Sequence, residues 1–192
     1  MATTNTYQNK TVAKAVRHTK DLTYVALAVG LISVCSWISV PTVVPFTLQT
    51  FAIFATVALL GGKRGMAAII AYILLGLAGA PVFSNMMGGA GVLAGLTGGY
   101  IIGFVFIGLV YWLGETIFGK KLWAQIASLV IGLAICYAFG TAWFMLVYSG
   151  RFGSISLVSS LTMCVAPFVP VDILKLALAL LLTNAIEKRI TL

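Results

Sequence analysis

Charge is almost excluded from six long apolar stretches of this chain, and that exclusion decides what it can fold into. The stretches run over about 23–40, 47–60, 66–80, 99–118, 122–148 and 165–186, separated by short polar or glycine-rich connections. A helix needs ~20 mostly apolar residues to cross the hydrocarbon of a bilayer. The 192 residues therefore hold six crossings and little else. Only 8% of the residues are charged and 61% are hydrophobic, whereas a water-soluble domain carries roughly 25% charged residues. A surface this poor in charge has to face lipid. The expectation is an all-α integral membrane bundle of six transmembrane helices. It forms a single domain over residues 1–192, with the bundle at about 23–187.

The formal charge of +8 comes from twelve Lys and Arg against four Asp and Glu. In a soluble protein that excess would suggest nucleic acid as a partner, but the placement argues against it. Ten cations lie in the two tails and in the loops after the second and fourth stretches: Lys10, Lys14, Arg17, Lys20, Lys63, Arg64, Lys120, Lys121, Lys188 and Arg189. With six crossings the two termini share a side, and all ten fall on it. Arg151 lies in a connection on the other side. Basic residues gather in cytoplasmic loops, so both termini are expected in the cytoplasm of a multi-pass cell-membrane protein. The first apolar stretch lacks a small-residue cleavage site and is expected to be a retained span. Residues 1–20 form a basic cytoplasmic tail or a short amphipathic helix. In the second form Lys10, Lys14 and Arg17 stand at helical spacing and Val12, Ala15 and Val16 on another face, which suits an anionic inner leaflet.

The connections at 40–46, 82–97 and 149–164 then lie on the outer face. The second is too long and too apolar for a solvated loop, since Phe83, Met86, Met87, Val92 and Leu93 alternate with Gly88, Gly89, Gly91 and Gly95. Irregular backbone at membrane depth survives where it packs in protein or lines a cavity. This glycine-rich outer loop between the third and fourth helices is expected to act as a lid over an outward-facing pocket.

Ionisable residues inside the spans are rare enough to be informative. Glu115 and Glu187 fall near span ends and are expected to be interfacial. Asp172 and Lys175 fall within the sixth span, with Lys175 ~13 Å deep at 1.5 Å per residue. A charge there costs at least ~2.5–3.5 kcal/mol. At a spacing of three the two share a helix face and can pair. They form either an ion pair that holds helices together or part of a polar cavity, where Lys175 can meet an anionic group and Asp172 can accept N–H bonds. Thr47, Gln49, Asn85, Thr97 and Tyr100 can converge on such a cavity from the outer halves of their helices.

Catalysis finds little support. The one histidine, His18, is in the basic tail, and there is no Ser/His/Asp set, paired carboxylate, metal-ligand cluster or phosphate loop. No cofactor or metal is expected, and no domain for ATP hydrolysis is present. Cys35, Cys136 and Cys164 read as small buried hydrophobes. No inverted repeat is visible. Ala26 and Gly30 make a small-xxx-small pair that fits either a partner helix or an internal contact. Three classes stay open on these residues: a substrate-binding transport component, an intramembrane enzyme with Asp172 and Lys175 as acid and base, and a structural subunit.

Four stretches together resemble the BioY family, the biotin-binding S components of energy-coupling factor (ECF) transporters. They are Val44-Pro-Phe-Thr-Leu-Gln-Thr50, Ala58-Leu-Leu-Gly-Gly-Lys-Arg-Gly65, Gly76-Leu-Ala-Gly-Ala-Pro-Val-Phe-Ser84 continuing to Leu96-Thr-Gly-Gly-Tyr-Ile-Ile-Gly-Phe104, and Pro167-Phe-Val-Pro-Val-Asp-Ile-Leu-Lys175. Leu96 stands where the family usually has Pro, and Val171 where it usually has Gly. The resemblance implies high-affinity capture of biotin from outside, with release inside when the chain is coupled to a transmembrane scaffold protein and two ATPase subunits. Another vitamin as ligand is the runner-up. The biotin carboxylate suits a cation and its ureido ring suits an acceptor and donors. Its thiophane and valeryl parts suit walls of Met, Phe and Trp.

Overall fold

The structure, a computed structural model, describes the backbone of residues 2–40, 42 and 44–189, and the side chains of those from Val16 onward except Arg17. It is mostly α-helical. The first helix, α1, runs without interruption over Ala2–Trp37. Residues 9–20 are therefore the leading part of one helix, not a coil and not a separate element. The side chains of Lys10, Lys14 and Arg17, which would give that stretch its basic face, lie outside the described residues.

At Trp37 the chain leaves the helix for a two-stranded ribbon, β1 (Ser39–Val40) and β2 (Phe46–Thr47). Ser39 pairs with Thr47 and Val40 with Phe46, antiparallel. The first apolar stretch thus ends three residues earlier than its hydropathy suggests. Helices α2 (Gln49–Leu60) and α3 (Gly62–Leu77) follow, parted by the single residue Gly61. Gly61 turns the chain at φ 81°, a backbone state that a side chain would strain. The Glu115 carboxylate accepts the Gly62 N–H at 2.5 Å and places negative charge at the positive end of α3. Glu115 is thus a helix cap, a role its position in the sequence does not announce. Nearby, Arg64 pairs with Asp21 at 2.7 Å and Lys120 with Glu187 at 3.5 Å.

The glycine-rich segment is ordered into small pieces: a 3₁₀ turn at Ser84–Met86, a Phe83–Met87 bridge and the short α4 (Ala90–Leu93). Phe83 anchors it by packing edge-on against Tyr72, with ring centroids 5.5 Å apart. Trp143 donates its indole N–H to the Gly95 carbonyl at 3.0 Å. Then come α5 (Gly98–Phe118), α6 (Leu122–Phe152), α7 (Leu157–Cys164) and α8 (Phe168–Glu187). The stretch expected as an outer connection at 149–164 is largely helical, since α6 continues until Gly153 breaks it at φ 97°. Ser156 then starts α7 by accepting the Ser159 N–H. Pro170 sits in the first turn of α8, where a missing N–H costs little.

Among the described residues four helical segments are long and apolar enough to cross a membrane: His18–Trp37, Gly98–Phe118, Leu122–Phe152 and Phe168–Glu187. The helices α2 and α3, with 12 and 16 residues, reach ~18 and ~24 Å, short of a ~30 Å hydrocarbon core. In the bundle α5 lies along α6 and α3, α2 against α8, and α1 against α2 and α3. Close approach of α5 and α6 depends on Gly132, where a Cβ would stand 2.8 Å from Ile107 Cα. The core joins Ile32, Ile53, Phe54, Ile69, Tyr72, Ile107 and Leu129. Leu27, Leu31, Leu113, Ile117, Leu178 and Leu181 point outward, as a lipid-facing surface requires.

Candidate functional site

A cavity opens among α2, α5, α6 and α8. One wall belongs to α8, where Phe168, Asp172 and Lys175 follow at helical spacing on one face. The ribbon and the start of α2 supply Val44, Pro45, Thr47, Gln49 and Thr50. From α5 and its cap come Thr97, Tyr100, Ile101 and Phe104, and from α6 Leu133, Cys136 and Tyr137. Cys164 and Ser84 complete the lining.

The polar centre is the Asp172–Lys175 pair, 1% and 6% exposed. Lys175 Nζ donates to Asp172 Oδ1 at 2.7 Å, to the Thr47 carbonyl at 2.7 Å and to Thr50 Oγ1 at 3.0 Å. An ammonium has three N–H bonds, and each has an acceptor. Thr50 Oγ1 in turn donates to Asp172 Oδ1 at 2.7 Å, and the Tyr137 hydroxyl donates to Asp172 Oδ2 at 2.5 Å. The pair is neutral as a unit and fully hydrogen-bonded, the condition under which buried charge is tolerated. Neither Thr50 nor Tyr137 stood out in the sequence. Their signal exists only in space: Thr50 is the second residue of α2, opposite α8, and Tyr137 reaches across from α6.

A second polar set lies around it. Gln49 donates its amide to the Tyr72 hydroxyl at 2.8 Å, and Tyr72 donates to the Val82 carbonyl at 3.0 Å. Gln49 Oε1 meets no donor among the described residues. The Tyr100 and Thr141 hydroxyls share a hydrogen bond at 3.0 Å. The half-buried side chains of Thr97 and Ser84 line the cavity and make no side-chain hydrogen bond among the described residues. Phe168 is held by a stacked Phe46 of β2, with centroids 4.0 Å apart.

Six of the seven residues singled out as ligands therefore line one cavity: Thr47, Gln49, Thr97, Tyr100, Asp172 and Lys175. Asn85 does not. It is exposed at φ 56°, and its Oδ1 accepts from Ser39 Oγ at 3.2 Å. Its neighbour Ser84 faces the cavity instead. The apolar walls are Phe, Ile, Leu and Val, with no Met or Trp among the lining residues. Met86 and Met87 are exposed. The three cysteines are buried and unbonded to one another, and two of them line the cavity. Among the described residues no cluster of His, Cys, Asp and Glu has the makings of a metal site. On α1, Ala26 and Gly30 face outward, and a Cβ on Gly30 would meet nothing within 4 Å. Among the described residues Gly30 therefore serves no internal helix contact.

This arrangement suits a small, largely apolar ligand with a compact polar head that both donates and accepts. The sequence profile described as the BioY family matches residues 5–191. The chain is 39% identical over 171 residues to the biotin transporter BioY of Thermotoga maritima, covering 88% of this chain and 96% of that one. It is 34% identical over 169 residues to the probable biotin transporter BioY of Pyrococcus horikoshii, with 88% and 96% covered. A crystal structure of the S-component for biotin from an ECF-type ABC transporter superposes with a TM-score of 0.76 at 26% identity, covering 90% of this chain and 93% of the other.

Proposed function

This chain belongs to the BioY family, and from that premise we propose that its cavity captures biotin for import, the chain being the substrate-binding component of an ECF transporter. It is a transport component and not an enzyme, in keeping with relatives named as transporters. The observation that carries the proposal is the neutral, fully hydrogen-bonded Asp172–Lys175 pair set in an otherwise apolar cavity.

Charge counting favours one orientation of the ligand. From sequence alone, Lys175 looked like the partner of the carboxylate. In the folded chain its ammonium is already neutralised by Asp172 at 2.7 Å, and an incoming carboxylate would put a second anion beside a buried one. The ureido ring is neutral, with one carbonyl and two N–H groups. It can exchange hydrogen bonds with Lys175, Asp172, Tyr137 and Gln49 and leave the buried charge unchanged. The carboxylate then points to the half-buried Ser84 and Thr97, nearer water.

Six crossings are completed by α2 and α3, each extended by the irregular chain beside it, the β1–β2 ribbon for α2 and residues 78–97 for α3. Both termini then lie on the cytoplasmic side with Lys63, Arg64, Lys120 and Lys121, in the cell membrane. The segment 82–97 is the lid, since Ser84 and Thr97 sit where it meets the cavity. Among the described residues there is no nucleotide-binding fold, and the chain takes its energy from a transmembrane scaffold and two ATPase subunits, the outward face of Ala26 and Gly30 being where the scaffold docks.

Radiolabelled biotin should bind the detergent-purified chain saturably, one per chain, unchallenged by other vitamins in excess. Absence of binding would overturn the assignment. For the orientation, biotin carboxamide should compete nearly as well as biotin, and an analogue methylated on the ureido nitrogens should not. The reverse ranking would return the carboxylate to Lys175.

A further inference from the structure

The amide of Gln49 has two ends of almost the same size, one donating and one accepting, and the end turned to the cavity decides what a ligand meets there. Gln49 opens α2, lines the cavity and is 5% exposed. Which end faces which way follows from its partners, a hydrogen-bonded chain leading out of the cavity to the start of the glycine-rich segment. The chain ends at the Val82 carbonyl, which can only accept. The Tyr72 hydroxyl, 3.0 Å from that carbonyl, therefore spends its single proton there. Its oxygen is left to accept, so the end of Gln49 that stands 2.8 Å away is the N–H end, Nε2. Oε1, the other branch, accepts from no group among the described residues. Buried polar atoms are ordinarily satisfied, and an unmet acceptor beside a cavity calls for a donor on whatever fills it.

The carbonyl at the end of this chain is held from three sides. Ser36, 0% exposed, donates to the same Val82 carbonyl at 2.6 Å. The Trp37 indole donates to the Pro81 carbonyl at 2.9 Å. The Phe83 ring packs edge-on against Tyr72 and over Gly76, where a Cβ would stand 2.1 Å from Phe83 Cζ. Turning the Val82 carbonyl away would mean unpacking residues 81–83 from α1 and α3. Were it turned away, Tyr72 would be free to donate to Gln49, and the amide would reverse.

We propose that Tyr72 is a positioning residue that sets specificity: through Gln49 it presents an amide carbonyl to the cavity, where that carbonyl accepts from one ureido N–H. Tyr72 itself is not part of the cavity lining. The proposal rests on the biotin reading, with the ureido ring toward the Asp172–Lys175 pair. That ring has two N–H groups and needs two acceptors; Asp172 is one and Gln49 Oε1 the other. A reversed amide would set N–H against N–H.

The full-length chain, purified in detergent, is measured for its affinity to biotin and to two analogues, each methylated on one ureido nitrogen. In the native chain each methyl should weaken binding, since each removes an N–H that has an acceptor. Tyr72→Phe keeps the ring beside Phe83, leaves Ser36 on the Val82 carbonyl and frees the Gln49 amide to reverse. It should weaken biotin binding about 3- to 10-fold, the worth of one neutral hydrogen bond. It should narrow the preference for biotin over one of the two analogues by the same factor and leave the other preference unchanged. A purely structural loss would weaken all three ligands alike, and that result would overturn the proposal. Gln49→Met removes the acceptor outright; it should narrow the same preference, and adding Tyr72→Phe to it should cost biotin nothing further. An equal cost of Tyr72→Phe in both backgrounds would place the tyrosine's role in the lid and overturn the proposal too. Should Tyr72→Phe fail to fold, Gln49→Met decides alone, and an unchanged preference in it would refute the assignment of Oε1. A native chain that bound no biotin would overturn the reading beneath, and the proposal with it.

Discussion

Cutting one partner of the Asp172–Lys175 pair should harm the chain more than removing both charges. The two groups stand 2.7 Å apart with side chains 2% and 8% exposed. At an effective dielectric of ~20 their attraction is ~6 kcal/mol, most of it offset by the cost of taking both ions out of water. Lys175→Met removes the attraction and keeps the cost, stranding a carboxylate held only by Thr50 and Tyr137. Breaking a buried pair in this way costs ~3–5 kcal/mol, a large part of the ~5–15 kcal/mol that holds a fold together. At ~2–4 °C per kcal/mol for a chain of this size, the melting temperature in detergent should fall by ~6–20 °C. Asp172→Asn should act in the same direction but more mildly, because the ammonium keeps the Thr47 carbonyl and Thr50 Oγ1. The double variant Asp172→Asn/Lys175→Met carries no buried charge, and its Asn oxygen can still accept from one of the Thr50 and Tyr137 hydroxyls while the other turns to accept from the amide N–H. It should regain at least half of the lost melting temperature. All three variants should lose ~2–5 kcal/mol of biotin binding, about 30-fold to several thousand-fold. A double variant as unstable as the sum of its parents, or one that binds biotin like the native chain, would refute the neutral-unit argument.

Other consequences can be measured separately. Tyr137→Phe removes one donor to Asp172 and leaves the ion pair in place, so it should weaken biotin binding by ~1–3 kcal/mol and lower the melting temperature by less than Lys175→Met does. Equal binding would show that this hydroxyl is not used in the loaded state. Gly30→Leu meets open space and should leave biotin binding unchanged while abolishing ATP-driven uptake by the assembled transporter; unchanged uptake would place the scaffold elsewhere. Gly132→Leu drives side-chain atoms into Ile107 and should reduce folded yield severely, and a normal yield would mean that α5 and α6 can part cheaply. Single cysteines at Arg151 and at Lys120 should differ on intact cells, the first labelled by an impermeant thiol reagent and the second not. The native cysteines are buried and should give little background.

Much of the site was legible because charge in an apolar stretch is a loud signal. Asp172 and Lys175 stand out in α8 for the cost of burying them, and the motifs around Thr47, Gln49, Thr97 and Tyr100 are short and local. Thr50 and Tyr137 were silent for the opposite reason: threonine and tyrosine are ordinary in membrane helices, and only the packing of α2 and α6 against α8 makes them partners. Asn85 drew notice because a polar residue in a glycine-rich stretch looks like a ligand, and in the fold the left-handed turn at 85–86 aims it at Ser39. The β1–β2 ribbon escaped notice because two-residue strands leave no periodicity. The helical content of 149–164 escaped because α7, at eight residues, is too short to show a hydrophobic repeat.

A lysine whose three N–H bonds are all taken has a consequence for competition in the surroundings of the cell. A bare ammonium at the bottom of an open cavity would collect chloride or phosphate, and any scarce ligand would have to displace them. In this chain Thr47, Thr50 and Asp172 already hold that place. The cavity therefore offers inorganic anions no unmet charge, and loading becomes an exchange of neutral hydrogen bonds. Affinity at such a site is nearly indifferent to ionic strength, because close buried pairs are screened far less than exposed ones.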